Sequence, residues 1–170
     1  MVYRIAVSSK VEDARAESIL RNLKTLFPQS AISGASFVQA YTIDAELTSA
    51  ELRSAAERLT HPVTEVYSID RISPSENCSY AIEVGYLPGV TDNVGHTARQ
   101  TIEDRLGRNL GDGGVYSSYF LFLTGDISEE EAGKIARELY NPLIERALVL
   151  KNPRGDTSWI SDKRGKPHTL

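Results

Sequence analysis

Two stretches in which apolar and polar residues alternate predict β-strands. Residues 3–7 and 80–84 both follow the two-residue period of a strand that buries one face. Each is followed by apolar residues at helical spacing, and each of these predicted helices ends at a helix-stopping residue, Pro28 or Gly107. The first helix carries Ala16, Ile19, Leu20, Leu23 and Phe27, and the second carries Val94, Ala98, Ile102 and Leu106. The chain therefore starts the same series of elements twice.

The strongest match between the two halves is a helix start. Thr48 and Glu51 align with Ser128 and Glu131 at a constant offset of 80 residues. Each pair has the spacing of a capping box, in which the hydroxyl accepts from the third helical amide and the glutamate reaches back to the cap. A matching apolar stripe follows in each half: Leu52, Ala55, Ala56 and Leu59 in the first, and Ala132, Ile135, Ala136 and Leu139 in the second.

The remaining segments complete a predicted order of β, α, β, β, α, β in each half. Residues 35–43 and 115–124 are rich in aromatic and β-branched residues and are each predicted to form a short hairpin. Closing strands are predicted over residues 63–69 and 143–150. This order predicts an α+β fold of two tandem ferredoxin-like units with antiparallel sheets and the helices on one sheet face. We expect a pseudo-dimer in which the open sheet faces, or two sheet edges, cover each other.

The predicted division of the chain follows this repeat. The first unit covers residues 1–72, a polar linker covers 73–79, and the second unit covers 80–151. Residues 152–170 are polar and basic and are predicted to form a linker or an arm.

Composition narrows the class of protein. The formal charge of −4 and a pI near 5.4 argue against a protein that neutralises nucleic-acid phosphates, so no nucleic-acid partner is expected. No stretch approaches the ~20 apolar residues that cross a bilayer, and no membrane partner is expected. Cys78 is the single cysteine, and the first residues lack the apolar core of a secretory signal. These features predict a cytoplasmic protein.

Candidate chemistry is sparse. His61, His96 and His168 share no metal-ligand spacing, and Cys78 lies in the predicted linker rather than beside a histidine. Residues 111–114 form a glycine-rich run, but a strand rather than a helix is predicted after it, which favours a turn over a phosphate loop. We therefore predict no catalytic, cofactor-binding or metal-binding residue in this chain.

One loop, residues 85–95, has features that a turn alone does not explain. Pro88 and Gly89 fit a type II turn, and Thr91 or Asp92 can cap the helix that follows. Apolar residues, expected to be exposed, flank the turn and would suit docking against another surface. A simple turn and a partner interface both remain open. The candidate interface residues are Leu87, Pro88, Gly89, Val90 and Asp92.

Residues 86–99, YLPGVTDNVGHTAR, resemble the amino-terminal domain of large phosphoribosylformylglycinamidine synthases, and residues 141–145, NPLIE, provide a second match. Each half is similar to the separately encoded small subunit of this enzyme, and the resemblance covers residues 3–150. The halves differ at the loop: residues 9–13, SKVED, stand in the first half where the second has its Pro-Gly turn.

The resemblance implies a non-catalytic scaffold. The family converts formylglycinamide ribonucleotide to the amidine in de novo purine biosynthesis, using ATP and glutamine. A domain of this kind would bridge an ATP-binding synthetase module and a glutaminase module, in cis or in trans, and help to organise ammonia transfer. ATP and Mg²⁺ would bind in the partner synthetase module and no cofactor in this chain. The alternative is a ferredoxin-like regulatory domain that binds a small molecule; an RNA-binding domain of similar topology would need a Lys/Arg-aromatic strand motif that is absent here.

Overall fold

Six strands and four helices follow one another in the computed structural model, which describes residues 1–74 and 77–153. The first half contains β1 (Val2–Ser9), α1 (Ala14–Leu26), β2 (Ile32–Asp44), α2 (Ser49–Leu59) and β3 (Glu65–Ile69). The second half contains β4 (Cys78–Tyr86), α3 (Asn93–Leu106), β5 (Gly114–Gly125), α4 (Glu129–Leu139) and β6 (Glu145–Lys151). The predicted arm lies, from residue 154 onward, outside the described residues.

The strands form one antiparallel sheet, which confirms the α+β class. Its strand order is β3-β1-β2-β5-β4-β6. The two halves meet where β2 pairs with β5 along its whole length, from Ile32 opposite Gly125 to Asp44 opposite Gly114. Of the two expected ways of joining the halves, the structure therefore uses sheet edges.

The predicted hairpins are wrong, because each of these segments is a single long strand. β2 has 13 residues and β5 has 12. β1 pairs only with residues 38–44 of β2, and β4 pairs only with residues 118–124 of β5. Residues 32–37 of β2 therefore extend beyond β1, and residues 114–117 of β5 extend beyond β4. These extensions pair with the other long strand. No glycine or proline interrupts residues 35–43 or 115–124, so the sequence contains no turn that would fold either segment back.

Counted outward from one residue pair in the β2–β5 junction, the two halves contribute their strands in the same order. Gln39 lies opposite Tyr119, and these two residues are themselves 80 positions apart. On one side β1 and then β3 flank β2, and on the other β4 and then β6 flank β5.

The helices begin and end where the sequence predicts. Thr48 accepts from the amide of Glu51, and the Glu51 carboxylate accepts from the amide of Thr48, which completes a capping box on α2. Ser128 accepts from the amide of Glu131 at the start of α4, which is the first half of the same motif. Gly107 ends α3 in the left-handed conformation with φ of 64°, which glycine adopts without steric cost.

Both halves contribute a helix to each cluster on the helix side of the sheet. One hydrophobic cluster combines α2 and α3 over β1 and β2, and a second combines α1 and α4 over β4 and β5. Leu23 of α1, for example, is 1% exposed and lies in the same cluster as Ile135 of α4. Each helix layer is therefore built from one helix of each half.

The sheet face opposite the helices, called the open face below, carries a third cluster without any helix residue. It consists of Ala6, Val38, Ala40, Ile72, Cys78, Ala81, Phe120 and Phe122. Ile72 follows β3 and is 3% exposed, so the chain directly after β3 packs on this face. None of the described helices is long and apolar enough to cross a membrane.

Candidate functional site

A cavity of about 220 Å³ lies at one end of the open face. Side chains of five strands and of the loop after β4 line it. Those from the strands include Arg4, Thr42, Glu83, Tyr116, Ser118, Arg146 and Leu148. The loop contributes Leu87, Pro88, Gly89, Val90 and Asp92, which are the candidate interface residues predicted from the sequence.

The loop folds as the predicted type II turn. The Val90 amide donates to the Leu87 carbonyl at 3.2 Å, and Gly89 has φ of +80°, the value that the third residue of such a turn requires. Pro88 and Gly89 are exposed. Leu87 and Val90 are half-buried, which corrects the expectation that they are exposed. Both residues form the wall of the cavity and are already in contact with the protein's own surface.

Asp92 has a structural role in this loop. Its carboxylate accepts from the Gly95 amide at 2.7 Å, which caps α3, and also from the amide and the hydroxyl of Ser117 on β5, at 2.5 and 2.7 Å. A Cβ at Gly95 would lie 2.5 Å from the Asp92 carboxylate and 2.6 Å from the Val115 carbonyl, so only glycine fits there. Asp92 therefore holds the loop and α3 on the sheet.

A second contact joins the two segments that carry the family resemblance. The Leu87 amide donates to the Ile144 carbonyl at 2.9 Å. The Asn141 amide donates to the Glu145 carboxylate, and the Leu143 amide donates to the Asn141 side chain, which fixes the turn before β6. Leu143 is 83% exposed and Ile144 is 39% exposed. We call the turn of residues 87–90 together with Leu143 and Ile144 the docking lip.

A buried ion pair lies in the floor of the cavity. The Arg4 guanidinium and the Glu83 carboxylate approach to 3.9 Å, and only 4% and 7% of their side-chain surfaces are exposed. Arg4 Nε donates to the Thr42 hydroxyl at 3.4 Å, and the Ser118 hydroxyl donates to Glu83 at 3.0 Å. The guanidinium also lies 5.9 Å from the centre of the Phe120 ring. Sequence reasoning missed this pair; the available signal was a charged residue within each otherwise apolar strand.

The other residues weighed from the sequence do not converge on the cavity. His61 and His96 are exposed, and His168 lies outside the described residues. Cys78 is buried, and burial raises the pKa of its thiol to about 11, which keeps it protonated and poorly nucleophilic at neutral pH. Gly111 has φ of 74° and lies in the predicted turn, whose carbonyls at Gly111 and Gly113 accept from Arg99.

Across residues 1–74 and 77–153, no group of three or more His, Cys, Asp or Glu side chains is placed to hold a metal ion. The described residues present an apolar lip and a cavity with two opposite charges in its floor. No family model matches the chain, and no curated protein sequence matches it.

Proposed function

We propose that this chain is a non-catalytic scaffold domain or subunit of phosphoribosylformylglycinamidine synthase. In this role it bridges the ATP-binding synthetase module and the glutaminase module, in cis or in trans, and helps to organise ammonia transfer between them. ATP and Mg²⁺ bind in the synthetase module. The proposal starts from the resemblance of residues 86–99 and 141–145 to that family.

The proposal includes a finer description of the fold. Residues 1–72 and 80–151 are two tandem ferredoxin-like units that form a pseudo-dimer. Three observations support this description: the repeated element order, the pairing scheme centred on Gln39 and Tyr119, and the helix caps at Thr48 and Ser128.

The observation that carries the proposed docking role is the docking lip. The two resembling segments are far apart in the sequence and yet are hydrogen-bonded to each other through Leu87 and Ile144. Together they present apolar side chains that the described part of the chain leaves exposed, of which Leu143 is the most exposed. Exposed apolar groups on a rigid support are typical of the centre of a protein interface.

The first half supplies a matched control. Val63 is the residue 80 positions before Leu143, and it is also strongly exposed, at 74%. It follows Pro62 as Leu143 follows Pro142, but residues 9–13 near it lack the Pro-Gly turn. A surface that depends on the second loop should therefore tolerate a change at Val63.

The test compares Leu143→Asp with Val63→Asp. We expect the first variant to bind the synthetase or glutaminase module of the same source at least about tenfold more weakly, because a charge would be placed in an apolar interface. Val63→Asp should bind as the unchanged chain does, and both variants should keep its urea midpoint. Binding by sedimentation velocity and calorimetry would measure this. Equal binding by both variants would exclude the docking lip, and no binding of the unchanged chain to either module would exclude the scaffold.

An activity measurement separates bridging from catalysis. In the assembled synthase, Leu143→Asp should lower the amidation rate with glutamine more than the rate with added ammonium, because added ammonium does not have to travel between the modules. Val63→Asp should leave both rates unchanged. If Leu143→Asp lowers both rates equally, the docking lip does not act in ammonia transfer.

A further inference from the structure

The outer edge of β6 has no neighbouring strand in the part of the chain that the structure describes. Among those residues, β6 is the last strand of the sheet and pairs only with β4. In an antiparallel ladder, alternate residues direct both their amide and their carbonyl to the same side. The Ile144 carbonyl and the Asn152 amide both bond toward the β4 side, so the even-numbered residues point inward. The amides of Ala147, Val149 and Lys151 therefore point away from the sheet.

The two ends of this edge are fixed. At the start of β6 the Glu145 amide is already used, because it donates to the Asn141 carbonyl at 2.7 Å. After the strand, Asn152 has φ of 46°, which ends the extended conformation. The outer edge therefore spans the 7 residues of β6, Glu145–Lys151, with Leu148 at its centre. Leu148 is 41% exposed, and no glycine or proline interrupts the strand. A regular strand edge with an apolar centre is a template for pairing with another strand.

The charges at the ends of β6 match those of a second copy. When two β6 strands lie antiparallel about Leu148, Glu145 of each copy lies opposite Lys151 of the other. Opposite charges that face each other across two strands are stabilising. Lys151 is exposed, and the Glu145 carboxylate, which accepts from the Asn141 amide through one oxygen, can accept through the other. A shift of the register by two residues, the smallest that keeps the outward amides opposite each other, would separate both pairs.

The remaining contacts are compatible with this register. On the open face Leu148 meets Leu148 of the second copy, and Arg146 lies opposite Leu150 of that copy. Arg146 also lines the cavity and already has an interaction within its own chain. Its hydrocarbon stem covers Leu150, so the register makes no use of its charge. We propose that the chain forms a symmetric dimer in which the β6 strands of two copies pair antiparallel about Leu148. Such a contact closes on itself and joins the two sheets into one.

The other outer strand, β3, does not offer the same surface. β3 is the counterpart of β6 in the first half, but it ends at Ile69, and Asp70 has φ of 56°. In a pair of β3 strands about their centre, Glu65 would lie opposite Ile69 and would meet no opposite charge. The Glu65 carboxylate accepts from the amide four residues before it, as the Glu145 carboxylate does. Glu65→Lys is therefore a control that makes the same local change on the wrong edge.

Sedimentation equilibrium of the full chain at about 1–300 µM tests the dimer. We expect reversible self-association. Lys151→Glu and Glu145→Lys each place like charges opposite each other at both ends of the edge, and each should weaken association about tenfold or more. An equimolar mixture of these two variants should restore the dimer, because every end then carries opposite charges again. Glu65→Lys should associate as the unchanged chain does.

A monomer at about 300 µM would overturn the proposal and leave the edge to another protein or to residues 154–170. Association that Lys151→Glu leaves unchanged, or that mixing does not restore, would overturn it as well. If Glu145→Lys does not fold, judged by its urea transition, Leu148→Lys and Leu148→Asp replace the two variants. Since Leu148 faces itself, each should associate more weakly alone and the mixture should recover, with the same overturning results. The dimer does not depend on the scaffold role, which is tested at Leu143.

Discussion

At the scale of residues, the loop that the sequence singled out is held by side chains rather than free to adapt. Asp92 was predicted as an interface residue or a helix cap, and the structure shows the cap together with a tie to β5 through Ser117. Local spacing was enough to predict the type II turn at Pro88 and Gly89, because its hydrogen bond closes within four residues. The exposure of Leu87 and Val90 was predicted wrongly, because only the folded chain determines what lies beside them.

A comparison of two aspartates tests the role of Asp92. Asp13 caps α1 and bonds to the exposed side chain of Arg15, whereas Asp92 caps α3 and bonds to Ser117 of β5. We expect Asp92→Ala to lower the free energy of unfolding by about 2–3 kcal/mol and Asp13→Ala by about 1 kcal/mol. Urea denaturation would measure both. Equal losses would show that the bonds to Ser117 contribute little.

Glu51 gives the structure a predictable response to acid. Its carboxylate accepts from Arg108 at 2.7 Å and from the amide of Thr48, and these bonds lower its pKa from 4.5 to about 2. Since the folded state favours the charged form, this stabilisation is complete above pH 4.5 and is lost as the pH falls toward 2. Stability should therefore fall more steeply with acid in the unchanged chain than in Glu51→Gln.

Urea midpoints at a series of pH values would measure the difference in slope. Because the pair with Arg108 is partly exposed, salt should reduce the difference. Parallel curves for the two proteins would contradict the assigned pairing.

At the scale of elements, the helices and the short strands were predictable and the long strands were not. The apolar stripe and the cap of a helix depend on residues within one or two helical turns. Thr48, Ser128 and Gly107 therefore marked the helix ends correctly. A 13-residue strand and a hairpin of two short strands share the same two-residue alternation. The lack of glycine and proline in residues 35–43 and 115–124 was the local signal against a hairpin, and the pairing of β2 with β5 shows that each segment is one strand.

The position of α1 in a cluster shared with α4 predicts which face of the helix stabilises the folded chain. Leu23 is 1% exposed in the cluster that α1 shares with α4, while Leu26, one turn further, is 48% exposed. Leu23→Ala should cost about 2–5 kcal/mol of unfolding free energy, and Leu26→Ala should stay within about 0.5 kcal/mol of the unchanged chain. Chemical denaturation provides the measurement. A small loss at Leu23 would mean that α1 does not contribute to the shared core.

At the scale of the whole molecule, the two halves share their cores. α1 of the first half lies in one hydrophobic cluster with α4 and β4 of the second, and α3 of the second half lies in another with α2 and β1 of the first. The β2–β5 pair continues the sheet across the boundary. Each of these two hydrophobic clusters therefore contains residues of both halves.

Dividing the chain tests this sharing. Residues 1–74 alone would leave the edge of β2 and the apolar face of α1 uncovered, so we expect this fragment to be unfolded or self-associated and never a folded monomer. Mixing it with residues 77–170 should restore a cooperative transition. Circular dichroism and sedimentation equilibrium would report both states. A monomeric fragment with a cooperative transition of its own would show that the first half has an independent core.

The sequence alone determined the local features: strand and helix periodicity, the caps, the turn before α3 and the α+β class. These depend on hydrogen bonds and apolar spacing between residues a few positions apart. The tertiary structure decided the β2–β5 junction, the sharing of each helix-side cluster by both halves, the contact of Leu87 with Ile144, and the pairing of Arg4 with Glu83. Each of these joins residues that are distant in the chain, and the spacing of neighbouring residues does not determine which distant residues meet.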